Sequence, residues 1–227
     1  METIITIGIC IGVLVGIMLA LNIINILQAG SKKPDGRTME EIIGVDPAKA
    51  TYEDVERLSR KDKMQVFYAA ETPEFGELEG EYKAGLLSGG VLGKSSELFT
   101  HHVFPTGKIT LGTRWVGKAF TKETQLTGRG YNLFTKKNRT GSTDTLRIRE
   151  IKTGIGPTNI GKDGKLSFKI DYRMFNSGAV KSMRDELRRI NDNLYIGAGY
   201  MGLGGGSINP APFVLMGPPT SYVGADK

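Results

Sequence analysis

Cysteine is nearly absent from this 227-residue chain: Cys10 is the single one, and it lies inside an apolar run. A disulfide framework and a thiolate metal site are thereby excluded, and the polar part of the chain suits a reducing compartment. Histidine is as scarce, with only His101 and His102. Adjacent residues of an extended chain point to opposite faces, so these two chelate poorly and no metal site is expected. Charge is missing from Ile4 to Leu27, and no basic residue precedes that run. A dinucleotide fingerprint is missing too, because no helix pattern follows the glycines of Gly202–Gly206. No cofactor is therefore expected.

The charge-free run is the first positive signal. At about 1.5 Å per residue in a helix it exceeds the roughly 30 Å hydrocarbon core of a bilayer. It begins Met-Glu-Thr, without a basic start, and continues through Asn22 and Asn25, so it reads as an uncleaved anchor rather than a signal peptide. Lys32, Lys33 and Arg37 follow it closely. That asymmetry predicts a single-pass protein with its N-terminus outside and its C-terminal domain in the cytoplasm or an organelle's matrix or stroma. The sequon Asn138-Arg139-Thr140 would matter only in the reverse orientation. Gly8, Gly12, Gly16 and Ala20 fall every fourth residue, a spacing that lets helices approach closely in lipid. The partner expected there is another transmembrane helix, in a homodimer or a membrane complex.

Four segments follow from the patterning: an anchor over 1–28, a linker with helical segments over 29–77, a β-barrel over 78–216 and a tail over 217–227. In the linker, Thr38 and Glu41 form a capping box, Asp46-Pro47 reads as a cap and first helical residue, and a helix is expected from Thr51 to Ala70, before Pro73. Beyond Leu78, glycine punctuates short apolar runs of strand character. Phe168, Ile170, Tyr172 and Met174 alternate with charges after the turn residues Asp163-Gly164, giving the clearest strand. Ala179, Met183, Leu187 and Ile190 then recur at helical spacing, and Leu194, Ile196, Ala198 and Tyr200 alternate again. The expected fold is mainly β: an antiparallel barrel with one inserted helix, ending before Pro218-Pro219.

The net charge of +6 is concentrated between Lys118 and Lys152, where only Glu123, Asp144 and Glu150 are acidic. Such a patch reads first as a solvated rim; beside a bilayer it also suits anionic headgroups. Nucleic acid is not indicated, since no binding motif accompanies the charge. Ser88–Ser95 approaches the phosphate-loop pattern G-x-x-x-x-G-K-[ST], but Ser88 replaces the first glycine and no later strand offers the acidic residue for magnesium. NTPase activity is not expected. Asp185 stands out near Ser182 as a cap partner or an inward-pointing carboxylate.

Gly80-Glu81-Tyr82, then Trp115-Val-Gly-Lys118-Ala-Phe120, then an Arg147-containing strand, Tyr172, Asp185-Glu-Leu-Arg188 and Asn191-Asp-Asn-Leu-Tyr-Ile-Gly197 follow in order. This succession resembles the lipocalin-like domains named for a GXWXG motif, with Tyr82 and Ala84 in place of the naming tryptophan and second glycine. The resemblance implies a barrel with a small apolar cavity. The function expected is a membrane-anchored binding protein for a hydrophobic small molecule such as a lipid, pigment or quinone. Its ligand-binding candidates are Tyr82, Trp115, Lys118, Phe120, Arg147 and Tyr172. The alternatives are a non-catalytic accessory subunit of a membrane complex, and an enzyme using His102 or Asp185 as acid or base.

Overall fold

The computed structural model describes residues 2–87, 89–138 and 140–226. Ser88 of the phosphate-loop pattern and Arg139 of the sequon lie outside these described residues. Eight strands, β1 Gly80–Leu86, β2 Thr113–Lys122, β3 Thr127–Lys137, β4 Thr143–Pro157, β5 Leu166–Asp171, β6 Arg184–Asn191, β7 Leu194–Tyr200 and β8 Ala211–Thr220, follow one another in space as in sequence. Each is antiparallel to the next, and β8 pairs back with β1 to close the barrel. Closure removes the sheet's two outer edges, while the first half of β4 extends beyond its pairing with β5, which starts at Lys152.

Alternation along the strands sorts side chains into two environments. Phe120, Phe134, Phe168, Ile170, Leu187 and Leu215 are among those packed inside the barrel. A second core lies outside it, under a helical layer of α2 Met39–Ile43, α3 Tyr52–Glu56 and α4 Arg60–Ala69. Ile196, Ala198 and Val214 face that layer. The apolar alternation of β7 noted above is therefore its outward face, and Tyr195 is an inward residue.

The capping box at Thr38 forms as expected, with Glu41 returning a bond to the Thr38 amide. The single helix expected over 51–70 is two, because Ser59 takes an extended conformation and caps a new start at Asp62. Two cations, half-buried Lys165 and buried Arg188, close the far end of α4. Lys165 donates to the carbonyls of Tyr68, Ala69 and Ala70, and Arg188 donates to Phe67 and Tyr68 while pairing with Asp163. Both complement the negative end of the helix.

The helix expected through Met183, Leu187 and Ile190 is a strand, β6, preceded by one 3-10 turn over Gly178–Ser182. Both faces of β6 are covered: Asp185 and Leu187 turn into the barrel, while Glu186 and Arg188 are buried on the outside against Lys169, Ser167 and α4. Covering both faces erased the period-2 signal. The inserted helix lies instead between β1 and β2, where α5 Gly93–Leu98 continues as a π turn through Phe99–Val103. Order also continues past Pro218-Pro219, which belong to β8. The tail then folds back over β3: Tyr222 packs on Tyr131, whose hydroxyl accepts from the amides of Val223 and Gly224, and Asp226 accepts from the Arg147 amide.

Helix α1, Glu2–Gln28, projects from the barrel, and Ile5–Gln28 is long and apolar enough to cross a membrane, a test of length and composition that signal sequences also pass. A Cβ added at Gly8, Gly12 or Gly16 would meet nothing within 4 Å.

Candidate functional site

One end of the barrel holds a cavity of about 340 Å³. Its wall is built where β1, β5 and β7 end and β2, β6 and β8 begin, with Leu86, Trp115, Met183, Gly199 and Phe213 on it. The size falls within the range of small-molecule sites. Segment 93–104 forms another wall through Phe99, Thr100 and Phe104. It is fastened to the barrel by Arg149, which adopts a left-handed φ of 60° beside the bulge between β3 and β4 and donates from Nε to the carbonyls of Phe104 and Pro105. The third wall is α1 itself, through Met18, Asn22 and Asn25.

The floor is polar. Lys118, on β2, directs its ammonium to Asn132 Oδ1 at 2.7 Å, to the Tyr172 hydroxyl and to Asp185 Oδ2 at 2.8 Å. Tyr172 donates in turn to the same Asp185 oxygen at 2.8 Å, and the Trp115 indole donates to Asn132 at 3.2 Å. Asn132 is oriented by its own amide nitrogen, which donates to the Arg149 carbonyl. The rings of Trp115, Tyr172 and Phe213 stand 5.2–5.5 Å from the Lys118 nitrogen, within cation–π range. With side chains only 2 % and 4 % exposed, Lys118 and Asp185 form an ion pair out of water. Burial pushes the Lys118 amine below its usual value of 10.5, and Asp185 opposes that shift. Burial and the Asp185 charge hold the Tyr172 phenol well above 10.0, so it stays protonated.

The contacts described on Asp185 fall on Oδ2, while Oδ1 lies over Gly199, where a Cβ would come within 2.8 Å. Glycine at 199 therefore leaves room for this carboxylate beside the cavity.

Of the residues singled out in the sequence, Trp115, Lys118 and Tyr172 line the cavity, as does Asp185. Tyr82 and Phe120 do not; they fill the barrel interior, packing tilted against each other and edge-to-face with Tyr195 and Phe168 respectively. Arg147 corrects the expectation of a polar-head partner, for it points outward and pairs with Glu81 at 2.7 Å. Its strand neighbours Leu146 and Ile148 face inward, as do Ile151 and Ile155 further along β4. His102 does not line the cavity; His101 Nδ1 accepts the Trp115 amide at 3.0 Å and so fixes the start of β2. Asn132 escaped the sequence reading, although a lone polar residue at an inward strand position was its signal. The phosphate-loop resemblance finds another use: the amides of Val91 and Leu92 donate to Gln28 and Asn25 of α1.

These side-chain amides of α1 adjoin a junction centred on buried Asn25 and Asn209. Asn209 accepts from Asn25 at 2.7 Å and donates to Asn22 at 3.0 Å, and Arg60 bonds Asn209, the Asn25 carbonyl and the Pro210 carbonyl. Asn22 and Asn25, read above only as marks against a signal peptide, thus tie α1 to the barrel mouth.

No protein-family model matches the chain, and no curated protein matches it. A solved structure, "Crystal structure of protein from Thermomonospora curvata", is similar at 17% identity and a TM-score of 0.40, covering 68% of this chain and 86% of that one. The closed eight-strand barrel fits a lipocalin-like architecture.

Proposed function

We propose that this chain is a membrane-anchored binding protein whose barrel takes a hydrophobic small molecule, a lipid, pigment or quinone, from the bilayer beside it. The observation that carries this reading is the shared wall: Met18, Asn22 and Asn25 of the apolar helix border the same cavity as Trp115 and Phe213. A ligand passing along α1 into the barrel stays out of bulk water, whose cost is about 0.8 kcal/mol for each CH₂ exposed. Exposed Met18, Val91, Leu98 and Ile208 give that end of the molecule an apolar surface. In this reading α1 spans the membrane and the barrel sits on the cytoplasmic, matrix or stromal side, in keeping with Lys32, Lys33 and Arg37. The polar floor receives the ligand's head, and the GXWXG-type resemblance supports the same use of the barrel.

The test is to extract the full-length protein in mild detergent and weigh what copurifies by native mass spectrometry. A stoichiometric apolar molecule that disappears in Leu86→Trp, which narrows the cavity, is the expected result. An empty wild-type barrel after extraction and after incubation with bilayer lipids would overturn it.

A second reading, an accessory subunit of a membrane complex, is favoured by the open face at Gly8, Gly12 and Gly16. It predicts that Gly12→Leu releases the chain from a stoichiometric assembly.

A further inference from the structure

Lys118 is an unusual residue for a simple carrier. A buried ion pair adds little stability over an apolar pair of the same volume. Here it borders a cavity open toward an apolar helix, and three aromatic rings surround the cation. Burial also lowers the amines of Lys63 and Lys165, but neither lines the cavity.

We propose that Lys118 captures an apolar aldehyde as a Schiff base, with Asp185 as its proton shuttle and counter-ion. The proposal rests on the reading of the cavity as an apolar-ligand site and names the reactive class of that ligand. Across the 2.8 Å contact the ammonium passes a proton to Asp185, leaving a free amine without an outside base. The nitrogen lone pair forms the C–N bond to the carbonyl carbon, the C=O π electrons move to oxygen, and the Asp185 acid protonates that oxygen. A second proton from nitrogen, relayed by Asp185, lets the carbinolamine C–O bond break, and water leaves as the C=N bond forms. The sum is aldehyde plus ammonium giving protonated imine plus water, with charge conserved.

Conservation of charge selects this chemistry over acylation. An amide at Lys118 would be neutral and would strand the Asp185 carboxylate in the barrel, whereas a protonated imine keeps a cation against it. The imine also retains the cation–π environment of Trp115, Tyr172 and Phe213. Tyr172 remains a donor to Asp185 throughout.

The experiment incubates the full-length protein in mild detergent with dodecanal and sodium cyanoborohydride, then maps the dodecylated lysines by peptide mass spectrometry. Native mass spectrometry with dodecanol, which lacks the carbonyl, reports non-covalent binding in parallel. Expected are one adduct per chain, located at Lys118 in preference to exposed Lys32 and Lys108, and its loss in Asp185→Asn. Adducts confined to exposed lysines, with dodecanol still bound, would overturn the Schiff base and leave the carrier reading standing. Failure of both Lys118 labelling and dodecanol binding would overturn the two together. The wild-type map decides the matter even where a variant fails to fold.

Discussion

Breaking the Lys118–Asp185 pair from one side should cost far more than removing it from both. In Lys118→Met the Asp185 carboxylate loses its 2.8 Å cation and, among the described residues, keeps Tyr172 alone as a donor, in a site 3 % exposed. An uncompensated buried charge of this kind costs about 3–5 kcal/mol. Asp185→Leu strands the ammonium similarly, although Asn132 and the three rings soften the loss. The double variant strands no charge and should recover most of either penalty, since an apolar replacement is often neutral or better by about 1–4 kcal/mol. At roughly 2–4 °C of Tm per kcal/mol for a domain of this size, each single variant should fall by about 6–20 °C. Trp115 is the one tryptophan in the chain and lies 5.4 Å from the ammonium, so its fluorescence on heating in mild detergent reads this site. A double variant that loses the sum of the two singles would refute the reasoning, as would singles that cost under about 1 kcal/mol, the range of surface pairs.

Acid should loosen the wall at His101. Burial, with the nearby Arg114 charge, holds its pKa below the usual 6.5 against the pull of Glu97. The unfolded chain thus takes up the proton first, and stability present above pH 6.5 falls as pH drops through the folded value. His101→Gln, which can still accept the Trp115 amide, should flatten the Tm profile between neutral and acid pH; an unchanged slope counts against this account. Arg188→Met removes the bonds that cap α4 and leaves Asp163 unpaired, with an expected loss of about 3–5 kcal/mol in thermal unfolding. Asn209→Ala cuts the junction to Asn22 and Asn25 and leaves buried donors unmet, at about 1–3 kcal/mol. It should speed proteolysis after Gly30 while near-UV dichroism of the barrel stays native.

The barrel was legible where one face met water or a simple core, as with Phe168 and Ile170 of β5 and Tyr172 just beyond it. It was illegible at β6, where Glu186 and Arg188 are buried by partners distant in sequence, Lys169, Ser167 and α4. Local spacing cannot encode a partner 121 residues away, such as the Phe67 carbonyl that receives Arg188. The same limit governs the site. Trp115, Lys118 and Tyr172 were visible as large or charged residues on strands, but Asn132 and the α1 residues Asn22 and Asn25 acquire their roles only when separate segments meet at one barrel end. The tail was misjudged because Pro218 and Pro219 ordinarily stop strands, yet here they belong to the end of β8 beyond its pairing with β7.

Closure of the barrel by its first and last strands sets an order of events during biosynthesis. Within these residues the apolar helix is made well before Asn209, its latch 184 residues from Asn25, and before β8, the partner of β1. Such long-range closure is slow and waits for the chain. A nascent chain would therefore carry a complete apolar helix while its cavity is still open, because the wall at Pro212 and Phe213 waits for β8.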